Sequence, residues 1–261
     1  MQRTALIIQY NGARFHGWQA QGHCSPTVQD ELQKALSKIA NEPIEVVCAG
    51  RTDTGVHAVG QVVHFDSTAQ RSPRAWMLGT NTHLPADISV AWAGHVNDEF
   101  HARFTAHARR YRYVIRNVET RSAILAKQVT EHRYPLNVSA MHTAAQLLLG
   151  ENDFSSFRAS QCQSNSPNRN MHSISVTHRG EFIFVDLQAN AFVHHMVRNI
   201  VGSLLLVGEG RKPVEWLAEL LSAKDRTQAG ATAPADGLYF AQALYDEQWG
   251  IPETNMEIFG E

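Results

Sequence analysis

The chain contains the stretch Gly50-Arg51-Thr52-Asp53-Thr54-Gly55-Val56-His57, in which a single acidic side chain lies on a short loop bounded by glycines. The stretch that follows, Gln61-Val62-Val63-His64-Phe65, has the pattern of a β-strand. A carboxylate on such a loop is held firmly yet stays accessible, which suits a reactive group. Arg51 and Asp53 would share one side of extended backbone, where the guanidinium would lower the pKa of the carboxyl. The alternative is a turn aspartate that bonds its own backbone.

Predicted elements around this loop form two similar halves. The first half has strands at 4–10, 46–48, 61–65 and 88–91, a helix beginning at Ser25-Pro26, and a short helix at about 76–83. The second half has strands at 110–117, 173–178, 182–187 and 238–244, with helices around 141–148 and 197–205 and another after Pro213. Each half follows the order β-α-β-β-α, which is the ferredoxin-like arrangement that also builds RNA-binding sheets.

This order predicts an α+β fold with two ferredoxin-like (RRM-like) subdomains. We place the subdomain that carries the Asp53 loop at 1–104 and the second subdomain at 105–261. Their antiparallel sheets are expected to join around a central basic cleft.

Composition indicates a globular protein with a substantial core. Of the 261 residues, 43% are hydrophobic and 18% are charged. We find no signal-peptide pattern at the start and no apolar run near the roughly 18 residues of a membrane span, so no membrane association is predicted. The cysteines are expected to be reduced, partly buried thiols of a cytoplasmic protein; they are Cys24, Cys48 and Cys162.

The net charge of −2 does not by itself indicate a nucleic-acid-binding protein, but the distribution of charge does. Between Arg103 and Arg121, Glu119 is the only acidic residue of a segment rich in arginine. Such a basic stripe is able to bind a polyanion locally, whereas the alternative is an ordinary solvated strand face. The arginines inside the segment are Arg109, Arg110, Arg112 and Arg116.

Several other chemistries lack support in the sequence. It has neither the glycine-rich loops that bind nucleotides nor a zincin motif. Adjacent strand residues face opposite ways, so His194 and His195 are not expected to hold a metal together, and we predict neither metal nor cofactor. An aspartic protease needs two aspartates that share a proton, but Asp-Thr-Gly occurs once. Arg51 would also oppose the protonated state.

Five blocks of the chain closely resemble the bacterial tRNA pseudouridine synthase I (TruA) family. They occur in the family's order over nearly the full length. The blocks are the two stretches quoted first, the segment Ala108-Arg109-Arg110-Tyr111-Arg112-Tyr113, the segment Asn190-Ala191-Phe192-Val193-His194-His195-Met196-Val197-Arg198, and the segment Ala233-Pro234-Ala235-Asp236-Gly237-Leu238.

The resemblance implies that a homodimer isomerises uridine to pseudouridine at positions 38, 39 and 40 of the tRNA anticodon stem-loop, without a cofactor. It assigns the essential catalytic role to Asp53, which would attack C1′ or C6 or act as a base on the ribose. Tyr111 would stack on the flipped uracil or move the C5 proton.

The remaining site residues follow from the same resemblance. Arg198 would pair with the catalytic aspartate, and Leu238 would form a wall of the uracil pocket. With Arg51, these residues are predicted to bind the substrate, while Arg109, Arg110 and Arg112 contact the RNA backbone. The alternative is an RNA-binding module without activity, but a pure binder needs no carboxylate facing a polyanion.

Overall fold

The computed structural model describes residues 1–20, 25–254 and Phe259, and the chain divides into two compact units. Of these residues, the first unit comprises those in 1–107 and those from Tyr239 onward, and the second comprises Ala108–Leu238. Both units combine helices with a mainly antiparallel sheet. The predicted α+β class is therefore confirmed, whereas the subdomain limits 1–104 and 105–261 stay a prediction.

The first unit has the order β-α-β-β-α-β. In its sheet, β1 pairs in antiparallel fashion with both β3 and β4, and β2 adds to β3. The elements are β1 (Gln2–Tyr10), α1 (Val28–Ala40), β2 (Val47–Cys48), β3 (His57–Ser67), α2 (Pro73–Asn81) and β4 (Ile88–His95).

The second unit repeats this plan with additional short strands that the sequence pattern did not predict, β6 and β7. Its elements are β5 (Ala108–Asn117), β6 (Thr130–His132), α3 (Val138–Gln146), β7 (Gly150–Asp153), β8 (Asn168–Arg179), β9 (Phe182–Ala189), α4 (Met196–Gly208) and α5 (Trp216–Ala223). The strands β5, β9, β8 and β7 are antiparallel neighbours in that order, and β6 runs parallel to β5.

The last strand, β10 (Leu238–Leu244), lies in the sheet of the first unit. Its residues Tyr239 and Phe240 pair in parallel with His57 and Ala58 at the start of β3. The strand has the bounds predicted from its sequence, 238–244, although the prediction grouped it with the second half. This pairing brings the C-terminal part of the chain beside the strand that follows the Asp53 loop.

Helix α1 begins two residues later than the predicted Ser25-Pro26 start. Thr27 is the N-cap, because its hydroxyl oxygen accepts the backbone N–H of Asp30 at 3.2 Å. The apolar spacing of 28–39 predicts one buried face, and four of its residues, Val28, Leu32, Ala35 and Leu36, are buried, whereas Ile39 is half-buried. The Ser-Pro start occurs instead at α2, where Ser72 caps the helix and Pro73 is its first residue.

Each unit has its own apolar core. In the first unit, Phe65 of β3 meets Trp76 of α2 edge-on, with ring centroids 4.9 Å apart. In the second unit, Phe154, Phe157 and Leu204 are fully buried. Among the helices in the described part of the chain, none combines the length and apolar character needed to cross a bilayer.

The structure describes two of the three cysteines that were predicted to be reduced and partly buried. Cys48 is free and buried, and Cys162 is free and half-buried. Cys24 lies outside the described residues.

Candidate active site

Asp53 lies on the loop at 49–56, which connects β2 to β3 as predicted, and its side chain is half-buried. The loop turns immediately after it: the Val56 N–H donates to the Asp53 carbonyl at 3.1 Å, and Gly55 has a φ of +81°. That left-handed conformation favours glycine, which explains the residue at this position.

A second segment, 12–18, braces the Asp53 loop from outside. The Trp18 N–H donates to the Thr52 carbonyl at 3.0 Å, and the Thr52 hydroxyl lies 2.8 Å from the buried Tyr10 hydroxyl. Gly12 approaches so closely that a Cβ there would lie 2.0 Å from the Val56 carbonyl oxygen. These contacts hold the backbone on both sides of Asp53, so the carboxylate is presented from a rigid frame.

The start of β3 supplies a third brace. His57 Nδ1 accepts the Gly12 N–H at 3.0 Å, and its ring stacks on Tyr239 with centroids 4.7 Å apart. The Gln61 side-chain amide donates to the Gly50 carbonyl at 2.6 Å. Burial raises the pKa of the Tyr239 phenol, so this ring stays neutral. His57 therefore acts as a hydrogen-bond acceptor and packing partner that helps to hold the Asp53 loop.

Arg51 lies on the same loop, two residues before Asp53, and it is exposed. Because both residues lie on a loop and not on a strand, strand periodicity does not set the directions of their side chains. The predicted pairing of Arg51 with Asp53 stays a prediction.

The two tyrosines of β5 differ in how deeply they are buried. Tyr113 is fully buried, and its phenol donates to the Pro234 carbonyl at 2.8 Å while the Thr130 hydroxyl supplies a second hydrogen bond. Tyr111 is only half-buried, and its ring meets Phe192 edge-on with centroids 4.9 Å apart. Tyr113 thus holds the fold, whereas Tyr111 keeps part of its surface accessible.

The arginines of β5 are not the open basic stripe that the sequence predicts. Arg112 is 7% exposed and forms two hydrogen bonds, of 2.7 and 3.0 Å, with the Asp186 carboxylate opposite it on β9. Arg116 pairs in the same way with Glu181. Acids remote in sequence, Asp186 on β9 and Glu181 in the turn just before β9, therefore neutralise both charges. Arg110 is half-buried and bonds only the neutral Gln188 side chain among its described contacts, and Arg109 donates to the Asn190 carbonyl.

We expect Arg112→Ala to lower the free energy of unfolding by about 3 kcal/mol, because it leaves the mostly buried Asp186 carboxylate without its partner. Arg110→Ala is the matched control on the same strand face and should cost less than about 1 kcal/mol. It should instead reduce the salt dependence of tRNA affinity by about one unit of slope, as expected for one lost phosphate contact. Urea unfolding and salt titrations measure the two effects; a stable Arg112→Ala protein with a reduced slope would contradict this assignment.

Arg198 lies in the first turn of α4, where a cation is unfavourable against the helix dipole and a partner is expected. Its Nε donates to the Ala233 carbonyl at 2.7 Å, and the Ala233 N–H donates back to the Arg198 carbonyl. Because Gly202 of α4 has no side chain, the loop that contains Ala231 and Ala233 packs closely against the helix; a Cβ at Gly202 would lie 1.8 Å from the Ala231 carbonyl oxygen. The loop fixed in this way leads directly into Leu238, which is buried.

The expectation that His194 and His195 face opposite ways is wrong. His194 and His195 lie in a turn, not on a strand, and His195 has a φ of +61°. Their rings consequently lie together, with centroids 3.9 Å apart, instead of facing opposite ways.

Comparison with known proteins identifies the family. A family model described as "tRNA pseudouridine synthase" matches residues 6–105 and 144–246 of the chain. The chain belongs to the tRNA pseudouridine synthase family. Arg51, Asp53, Arg198 and Leu238 lie within the matched segments, whereas Tyr111 and the arginines of β5 lie between them.

Individual tRNA pseudouridine synthases are similar over nearly the whole chain. A tRNA pseudouridine synthase A of Shewanella amazonensis is 59% identical over 254 residues, covering 97% of each chain. Those of Tolumonas auensis and Hydrogenovibrio crunogenus are each 58% identical, covering 96% and 98% of both chains respectively. These matches confirm the resemblance to the bacterial TruA family. The protein is an isomerase whose substrate is tRNA, which removes the aspartic protease alternative.

Proposed function

We propose that the protein isomerises uridine to pseudouridine at positions 38, 39 and 40 of the tRNA anticodon stem-loop, with Asp53 as the catalytic carboxylate. The reaction breaks the N1–C1′ glycosidic bond and forms a C5–C1′ bond, while C5 loses a proton and N1 gains one. Because atoms and charge balance within the substrate, the proposed reaction uses no cofactor or energy source.

The observation that carries this proposal is the frame around Asp53. The half-buried carboxylate lies on a loop that is held by Tyr10, Trp18 and Gln61 and that falls within the matched part of the chain. A preorganised acid of this kind can act as a nucleophile toward C1′ or C6, or as a base on the ribose. An RNA-binding module would have no use for a rigidly held carboxylate beside a polyanion.

We assign the other site residues by the same family pattern. Tyr111 stacks on the uracil and moves the C5 proton, while Arg51, Arg198 and Leu238 bind the substrate. The half-buried arginines, Arg109 and Arg110, contact the RNA backbone. For Arg112 we propose a structural role instead, since its guanidinium is bound to Asp186.

The proposal extends to the assembly and its location. We propose that the enzyme acts as a homodimer in the cytoplasm, as the family resemblance and the tRNA substrate suggest. Sedimentation equilibrium of the purified protein tests the dimer, and a monomer mass at micromolar concentration would contradict it.

The reaction is tested by incubating the protein with unmodified tRNA transcripts, without added nucleotide or metal, and mapping pseudouridine at single-nucleotide resolution. We expect conversion of the uridines at positions 38 to 40. The matched control is a transcript that carries cytidine at those positions and should remain unmodified. Pseudouridine at other positions alone would refute the proposed target while leaving the family activity intact.

A further inference from the structure

A turn that follows β4 exposes an aromatic side chain beside a basic one. Phe104 keeps 74% of its surface exposed, and Arg103 beside it is also exposed. We propose that Phe104, Arg103 and His101, here called the aromatic platform, bind an unpaired nucleobase of the tRNA, with the base stacked on Phe104 and an adjacent phosphate at Arg103. This deepens the proposed function: it rests on tRNA as the substrate but not on the role of Asp53 or on the target positions.

The platform is rigid before any ligand arrives. The Phe104 ring stacks on His101, with centroids 4.3 Å apart and planes inclined by 25°. The N–H groups of Arg103 and Phe104 both donate to His101 Nδ1 at 3.2 Å. Thr105 closes the turn, because its hydroxyl donates to the His101 carbonyl at 2.7 Å. An aromatic ring fixed in this way loses little conformational entropy when a base stacks on it.

Buried residues anchor the platform to the first unit. His64 of β3 lies against His101 with ring centroids 4.8 Å apart, and His64 Nδ1 accepts the Ala102 N–H at 3.1 Å. Burial lowers the pKa of His64 to about 4 and lowers that of His101 as well, so both rings are neutral near pH 7. The positive charge of the platform therefore comes from arginine alone.

The charges around the platform suit a polyanion. The Arg103 guanidinium lies over the Phe104 ring, with its central carbon 5.5 Å from the ring centroid, so a cation is held next to the aromatic surface.

This combination favours a nucleobase over an apolar protein surface. Single-stranded RNA is held by stacking of bases on aromatic rings and by cations along its backbone. The platform offers both elements, and the family's substrate is an RNA. A second copy of this chain is the rival occupant, and it would require apolar contact but no aromatic face.

The test compares Phe104→Ala, Phe104→Tyr and Phe104→Leu for equilibrium affinity toward unmodified tRNA. We expect Phe104→Ala and Phe104→Leu to weaken binding by about 5- to 150-fold, as estimated from the loss of one base–aromatic stack. Phe104→Tyr should bind like the parent because it keeps the ring. In kinetic assays, the loss should appear in KM, while kcat at saturating tRNA stays within a few-fold.

The outcomes separate the occupants. The proposal is overturned if all three variants bind tRNA with the same affinity as the parent. It is also overturned if Phe104→Ala has a lower sedimentation mass than the parent and Phe104→Leu has the parental mass, because this result indicates an apolar contact between two copies of the chain. Equal thermal unfolding of Phe104→Tyr and Phe104→Leu ensures that the comparison reports on binding. Because the affinity assay does not depend on where pseudouridine forms, its result is distinguishable from failure of the proposed target.

Discussion

Asp53→Asn is expected to abolish the conversion of uridine to pseudouridine, with a loss on the order of 10⁴-fold or more in single-turnover rate. Asparagine has nearly the same size as aspartate but is neutral, so it cannot act as the proposed nucleophile or base. Affinity for tRNA should stay within a few-fold, because removal of a negative charge from the site of a polyanion does not weaken attraction. Quantitative mapping of pseudouridine and a tRNA titration measure the two effects.

The fold around Asp53 makes this variant informative. The contacts that brace the loop come from the Thr52 hydroxyl and from backbone groups of Thr52, Gly55 and Val56, which the substitution leaves in place. Asp98→Asn is the matched control, since it makes the same change of charge on an exposed residue of the same unit. Appreciable turnover by purified Asp53→Asn, at the thermal stability of the parent, would remove Asp53 from the catalytic role.

The sequence was most informative where structure is determined locally. The apolar spacing of α1 predicted its buried face, and glycines at 50 and 55 predicted the loop between β2 and β3. The bounds of β10 also agreed with its apolar run, Leu238 to Leu244. Each of these features depends on the intrinsic preferences of neighbouring residues, which periodicity reveals.

Contacts between residues remote in sequence could not be predicted in this way. Arg112 and its partner Asp186 are 74 positions apart, so the apparent basic stripe gave no sign of its neutralisation. One signal was present: an acid in the apolar run Phe182 to Leu187 of β9 needs a partner when its strand is half-buried. No local pattern indicated the parallel pairing of β10 with β3. The prediction that His194 and His195 face opposite ways was wrong because the chain forms a turn before α4 and not a strand.

Tyr111→Phe is expected to slow pseudouridine formation by roughly 10²–10⁴-fold, because we assign its phenol the transfer of the C5 proton. Phenylalanine keeps the aromatic face and the edge-on contact with Phe192, so stacking on the uracil should persist. Cleavage of the glycosidic bond should then proceed while loss of the C5 proton stalls. Single-turnover assays that separate intact substrate, intermediate and product on quenching would show the intermediate accumulating.

Tyr113→Phe provides the matched control two residues further along β5. Its phenol is already engaged with the Pro234 carbonyl and the Thr130 hydroxyl and is fully buried, so its removal should cost about 1–2 kcal/mol of stability without stalling one chemical step. The structure thus leaves Tyr111, the half-buried tyrosine of this strand, as the one whose phenol we assign to the substrate. If Tyr111→Phe retains near-parental single-turnover rates, the phenol moves no proton and the ring serves only to stack.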